Sequence, residues 1–161
     1  MKKIILIRHG EAEQQTEIIK DFDRDLTNAG KQNAAKSAAM LLNTIAAPDI
    51  IITSPAVRAL NTAQIFAATF GFDRVQTNPE IYEAKAETLL KMVNKLNHEH
   101  EIVCLVGHNP GVSNLLYYLT GEVTTMPTSA WVEIELDTES WAEASIKTGN
   151  LLQYQYSQFL G

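Results

Sequence analysis

Ile4-Ile5-Leu6-Ile7-Arg8-His9-Gly10 is the stretch on which the reading of this 161-residue chain turns. Four apolar residues without polar alternation describe a strand buried on both faces, as in a parallel sheet. The run ends abruptly in a guanidinium, an imidazole and a glycine. The same construction recurs twice. Ile50-Ile51-Ile52 leads into Ser54-Pro55-Ala56-Val57-Arg58, and Ile102-Val103-Cys104-Leu105-Val106 leads into Gly107-His108-Asn109-Pro110. Open parallel sheets bind ligands at the carboxyl ends of their strands. Two arginines and two histidines delivered to that rim predict a pocket for a small anion, of which a phosphoryl group fits best.

The remainder of the chain sets that pocket in context. Its net charge is −6, so the cationic site stands against the overall field. The same acidity argues against nucleic acid as a partner, which a basic face would attract. Apolar content of 45% and charged content of 20% fit a folded core, and the length suits a single domain over residues 1–161. The one cysteine, Cys104, lies inside an apolar run and reads as a packing residue; with no disulfide possible, a cytoplasmic setting is expected. Lys2-Lys3 followed by four apolar residues is too short for a secretory leader. No apolar run reaches the length of a membrane span, so no membrane partner is expected.

Strand and helix signals alternate, which predicts an α/β fold: three layers, αβα, with a mostly parallel central sheet. A polar loop from Gly10 to Thr27 is long for a compact α/β unit and points to function or mobility. Thr27 is expected to cap a helix running to about Ala46, and Ser54 with Pro55 to open a second helix ending before Gly71. A short strand is expected near Val75, a helix over about Glu87–Asn97, and a helix from Asn109-Pro110 to Leu119. Trp131–Leu136 alternates apolar and polar positions and predicts a half-exposed strand at or near an antiparallel edge. Trp141–Lys147 is expected as a further strand. Leu152, Tyr154 and Tyr156 fit either an edge strand or a docked tail.

Four stretches, taken in order, carry a resemblance. Leu6-Ile7-Arg8-His9-Gly10-Glu11 resembles the signature of the histidine phosphatase superfamily, the phosphoglycerate mutase-like fold. Asp25-Leu26-Thr27-Asn28-Ala29-Gly30 resembles the segment opening that family's first helix. Ser54 to Ala63 is similar to its second-arginine helix, and Val106-Gly107-His108-Asn109-Pro110 to its second-histidine motif. The short length and Gly107-His108-Asn109-Pro110 look most like the small SixA-like phosphohistidine phosphatase branch. The resemblance implies His9 as a nucleophile that becomes phosphohistidine. It implies that Arg8, Arg58 and His108 hold the phosphoryl oxygens, with Gly10 and Asn109 completing the phosphate site. No metal and no cofactor are implied.

The proton donor stays open. Ile81-Tyr82-Glu83 matches the acidic motif of larger members, which makes Glu83 the first choice and Glu80 the second, with no donor as the third possibility. Arg24 could reach a phosphate or a protein substrate, or stand in solvent. The expected reaction is metal-independent hydrolysis of a phosphoryl group, with a phosphohistidine-bearing protein as partner. The alternatives are a phosphatase of small phosphoesters, a mutase-type enzyme and a non-catalytic phosphoryl-binding module. His98 and His100, flanking Glu99, read as ordinary helix-end residues.

Overall fold

The computed structural model describes residues 1–156. β1 (Lys3–Arg8), β2 (Ile50–Thr53), β3 (Val75–Thr77), β4 (Ile102–Gly107), β5 (Trp131–Leu136) and β6 (Gly149–Gln155) form one sheet in the order β3-β2-β4-β1-β5-β6. The first four strands run parallel, β5 is antiparallel to β1, and β6 is antiparallel to β5. The helices are α1 (Asn28–Leu42), α2 (Val57–Phe70), α3 (Ala86–Asn94) and α4 (Gly111–Thr120). The α/β class, the mostly parallel sheet and the antiparallel side all agree with the expectation from sequence.

The apolar runs explain the layering. Successive residues of a strand face opposite sides. Ile5 and Ile7 join Ala38, Leu41, Ala63 and Phe66 on the face covered by α1 and α2. Ile4 and Leu6 join Leu89, Val93, Leu115 and Leu119 on the face covered by α3 and α4. Ile4 to Ile7 are fully buried, and each such side chain is worth about 1.5–3 kcal/mol of burial. β1 is therefore fixed in register from both faces, and with it the positions of Arg8 and His9.

Helix boundaries follow the caps. Thr27 accepts from the Gly30 N–H at 2.9 Å and starts α1 as expected. α1 stops at Leu42 and α3 at Asn94, both earlier than the apolar spacing suggested. Gly71, at φ 74, ends α2. Ser54 does not cap α2: the helix begins at Val57, with Ala56 as its uncapped N-cap residue. The Ser54 hydroxyl accepts from Ala56 N–H and pairs with His108 instead. Asn109 does not cap α4, whose N-cap residue is Pro110, following a cis Asn109-Pro110 peptide.

Two expectations near the carboxyl side are corrected. β5 is not half-exposed. It lies between β1 and β6, and Glu133 is buried at 2% exposure, with Lys3 Nζ 3.6 Å away and Gln153 Nε2 at 3.4 Å. Trp141–Lys147 is not a strand. Trp141–Glu143 is a 3-10 turn that the Ser140 side chain caps. Asn94 Nδ2 ties the turn down by donating to the carbonyls of Trp141 and Ala144, both at 2.9 Å. Trp141 is fully buried, and its Nε1–H bonds the His100 carbonyl at 2.9 Å. The last strand is β6, which places Leu152 and Tyr154 on an edge strand. The single-domain expectation extends to residue 161, and residues 157–161 lie outside those described.

Candidate active site

Parallel strands of one polarity bring their carboxyl ends to one rim. β1 ends at Arg8 with His9 next, β2 ends one residue before Ser54, and β4 ends one residue before His108. Arg58 lies in the first turn of α2, which starts at the same rim. Among the site residues expected from sequence, His9, Arg58 and His108 are buried at 8%, 6% and 9% exposure, and Arg8 is partly buried. The rings of His9 and His108 lie 5.2 Å apart.

Each of these side chains is held by something specific. His9 Nδ1 lies 2.7 Å from the Gly10 carbonyl. A carbonyl only accepts, so Nδ1 carries the ring proton and Nε2 keeps its lone pair. Thr62 Oγ1 accepts from the Gly10 N–H at 3.0 Å and donates to the Arg58 carbonyl at 2.7 Å, locking the Arg8-His9-Gly10 turn to α2. Arg8 Nη1 donates to the Met126 carbonyl at 2.9 Å, and Asn109 Nδ2 donates to the same oxygen at 2.8 Å. His108 Nε2 lies 2.8 Å from the Ser54 hydroxyl. Arg58 donates from Nη1 to the Asp21 carbonyl at 2.7 Å and from Nη2 to Asp21 Oδ2 at 3.2 Å.

Burial and mutual proximity set the electrostatics. Burial pulls the His9 pKa down to about 3, against the opposing effect of the Gly10 carbonyl bond; His108, Arg58 and Arg8 add to the depression. Burial, then Arg58, takes His108 down to about 4, with Asp21 opposing. Both imidazoles are therefore neutral at pH 7. Arg8 Nε, Arg58 Nε and His108 Nδ1 are buried without a hydrogen-bond partner, as is Ser129 Oγ. An unmet buried polar group costs roughly 1–3 kcal/mol. Three unmet nitrogens on three of the four expected side chains are the arrangement of a site built to receive an acceptor-rich anion.

Glu83 is not drawn into this cluster. It is exposed, at φ 57, on the rim of a cavity of about 620 Å³ that also borders His108, Asn109, Pro110 and Tyr117. Glu80 is exposed on the 3-10 turn Pro79–Ile81. Arg24 is partly buried and reaches Asp21 Oδ1 at 2.8 Å. His98 and His100 engage through their backbone carbonyls, which accept from Lys2 Nζ.

Two residues escaped the sequence reading. Asp21 carries Arg58, Arg24 and the Tyr82 hydroxyl, the last at 2.6 Å. Tyr82 stands edge-on to His108, ring centroids 5.6 Å apart, and Phe22 also packs against it at 5.2 Å. The available signal was the length of the loop holding Asp21; nothing marked Tyr82 apart from its neighbour Glu83.

A family model for the histidine phosphatase superfamily (branch 1) matches residues 4–93, more than half of the chain. The chain belongs to the histidine phosphatase superfamily. That span contains Arg8, His9 and Arg58; His108 follows it. A chloroplastic protein of Arabidopsis thaliana, itself uncharacterized, is 27% identical over 159 residues, covering 92% of this chain and 72% of that protein. Among solved structures, an Agrobacterium tumefaciens protein provisionally assigned as the phosphohistidine phosphatase SixA is 28% identical. It superposes with a TM-score of 0.82 over 96% of this chain and 97% of its own. A SixA protein histidine phosphatase solved with tungstate, 23% identical, shares the fold at a TM-score of 0.81, over 96% of both chains. This histidine phosphatase fold thus matches the SixA proteins over almost their whole length. No helix among its described residues is long and apolar enough to cross a membrane.

Proposed function

We propose that this chain is a single-domain, metal-independent phosphatase that takes a phosphoryl group onto His9 and passes it to water, with protein phosphohistidine as substrate. The observation that carries the reading is the hydrogen bond from His9 Nδ1 to the Gly10 carbonyl. It leaves Nε2 unprotonated and nucleophilic, while burial keeps the ring neutral well below pH 7. In the first step His9 Nε2 bonds phosphorus and the bond from phosphorus to the substrate nitrogen breaks. Arg8, Arg58 and His108 meet the charge on the equatorial oxygens with donors that are otherwise unmet. In the second step water attacks phosphorus, the bond to Nε2 breaks, and phosphate leaves. Gly10, bonded to His9 and Thr62, and Asn109, bonded to Met126 and Ser113, serve the phosphate site by holding the segments that carry His9 and His108.

A phosphoramidate substrate suits a site with no buried carboxylic acid beside His9 among the described residues, since an imidazole protonated on its other nitrogen departs as a neutral group, whereas an alkoxide needs a proton donor. Glu83, exposed beside the cavity that borders His108, is the donor for any ester substrate. The superposition on the Agrobacterium protein over nearly the full length of both chains supports the same substrate class.

The test is phosphate release from a phosphohistidine-bearing protein domain, in chelator, by wild type and His9→Ala. Turnover by wild type alone is expected. Equal release by both proteins would remove His9 from the mechanism. Loss of wild-type activity in chelator would point to a metal. Release only from small phosphoesters would replace the substrate.

A further inference from the structure

Arg58 is the most deeply buried arginine of the site, and Asp21 is its carboxylate partner. A guanidinium offers five N–H donors in a rigid fork. Asp21 takes one from Nη1, through its backbone carbonyl, and one from Nη2, through Oδ2. The Nε–H is left buried and without a partner. The fork is thus gripped at its tip, and its Nε–H is left unmet.

The same carboxylate reaches further. Oδ2 also accepts from the Tyr82 hydroxyl at 2.6 Å, and Oδ1 accepts from Arg24 at 2.8 Å. The Tyr82 ring stands edge-on to His108. Asp21 sits on the 3-10 turn Asp21–Asp23, inside the long connection between β1 and α1. None of the turn's residues is buried, and its one apolar side chain, Phe22, packs against Tyr82 with ring centroids 5.2 Å apart. Asp21 therefore ties this loop to α2 and to the segment after β3, alongside Asn61 Nδ2, which donates to Asp25 Oδ1 at 2.7 Å, and Phe22, which packs against Tyr82.

We propose that Asp21 is a positioning residue for phosphoryl transfer, orienting Arg58 directly and His108 through the Tyr82 ring. This inference rests on the phosphatase reading above. The competing arrangement is a strap, in which the Asp21 carboxylate occupies the place of the substrate anion and must be displaced. The two make opposite statements about anion affinity. A positioning residue strengthens anion binding, because an aimed guanidinium loses less freedom when it forms its bonds. A strap weakens it.

The experiment compares wild type, Asp21→Asn, Asp21→Glu and Tyr82→Phe for tungstate affinity and for phosphate release from a phosphohistidine-bearing domain. Asp21→Asn is nearly isosteric, and its melting temperature shows whether the fold is retained. Asp21→Asn is expected to bind tungstate at least tenfold more weakly and to lose at least tenfold in kcat, with Asp21→Glu recovering part of both. Tyr82→Phe keeps the ring on His108 and is expected to lose less than Asp21→Asn. Ultraviolet titration adds a readout that a merely structural role would not move. The Tyr82 phenol, held up to about 12 by burial and then by Asp21, is expected to ionise at lower pH in Asp21→Asn. Wild-type tungstate affinity or tighter in a folded Asp21→Asn protein would overturn the proposal and leave the phosphatase reading standing. A wild-type protein that neither binds tungstate nor releases phosphate would overturn both.

Discussion

The four strand-end side chains differ in how firmly they are held, and the difference predicts how each responds to substitution. Arg58 is buried, doubly bonded to Asp21, and keeps an unmet Nε–H. On the proposed mechanism Arg58→Ala removes one preorganised transition-state donor, while the Asp21 carboxylate keeps Arg24 and the Tyr82 hydroxyl. A loss of about 10²- to 10³-fold in kcat is expected, read by phosphate release under saturating substrate; near-wild-type turnover would place Arg58 outside the reaction. The gathering of Arg8, His9, Arg58 and His108 at one rim was legible in the sequence because three apolar strands lead into the segments that carry them; polar groups abutting a buried strand, as Arg8 and His9 do, must meet something polar. Asp21 and Tyr82 were not, since an aspartate in an acid-rich loop and a tyrosine between Ile81 and Glu83 carry no local mark. Their roles exist only after residues 37 and 61 positions apart are brought together.

Elements were legible where a single local force sets them. The apolar runs gave β1, β2 and β4, the Thr27 hydroxyl gave the start of α1, and Gly71 gave the end of α2. Elements set by distant contacts were misread. The Trp141 segment has strand-like composition, yet Asn94 and the His100 carbonyl hold it as a turn. Ser54 and Asn109 have capping chemistry, yet His108, Met126 and Ser113 claim their polar atoms. One element boundary is unusually tight. A Cβ added at Gly30 would stand 2.1 Å from the Glu11 carbonyl oxygen, in backbone that cannot swing aside. Gly30→Ala should force α1 away from the segment after His9 and cost about 1–3 kcal/mol, measured by urea unfolding. Activity should fall with it, since that segment carries the His9 backbone. An unchanged unfolding midpoint would show that α1 and the loop are free to separate.

Across the whole molecule, two neutral buried imidazoles tie stability to pH. In the fold, His9 and His108 have pKa values near 3 and 4; the unfolded chain takes up these protons near 6.5. Below about pH 6.5 the unfolded state therefore binds more protons, and stability falls as pH falls. Each histidine contributes a slope of about 1.4 kcal/mol per pH unit until its folded value is approached. Urea unfolding at pH 7, 6 and 5 should show this fall, and His9→Gln should remove about half of it. A stability that is flat from pH 7 to 5 would mean that both rings are open to water. The sheet's polarity bears on how the molecule can be handled. Every parallel strand, β6 included, points its carboxyl end at the site, and Gln155 pairs with Trp131, which in turn pairs with Ile7. Gln155 thus lies two strand spacings, about 10 Å, from β1 at the level of Ile7. Lys3 lies at the opposite end of β1, about 17 Å from Arg8 along the strand. A surface linker or fluorophore attached near Lys3 would leave the mouth of the site clear. The same label at Tyr156, the partly exposed residue after Gln155, would crowd a protein-sized substrate while a small phosphoester still entered, so the choice of attachment point would itself change the apparent substrate preference.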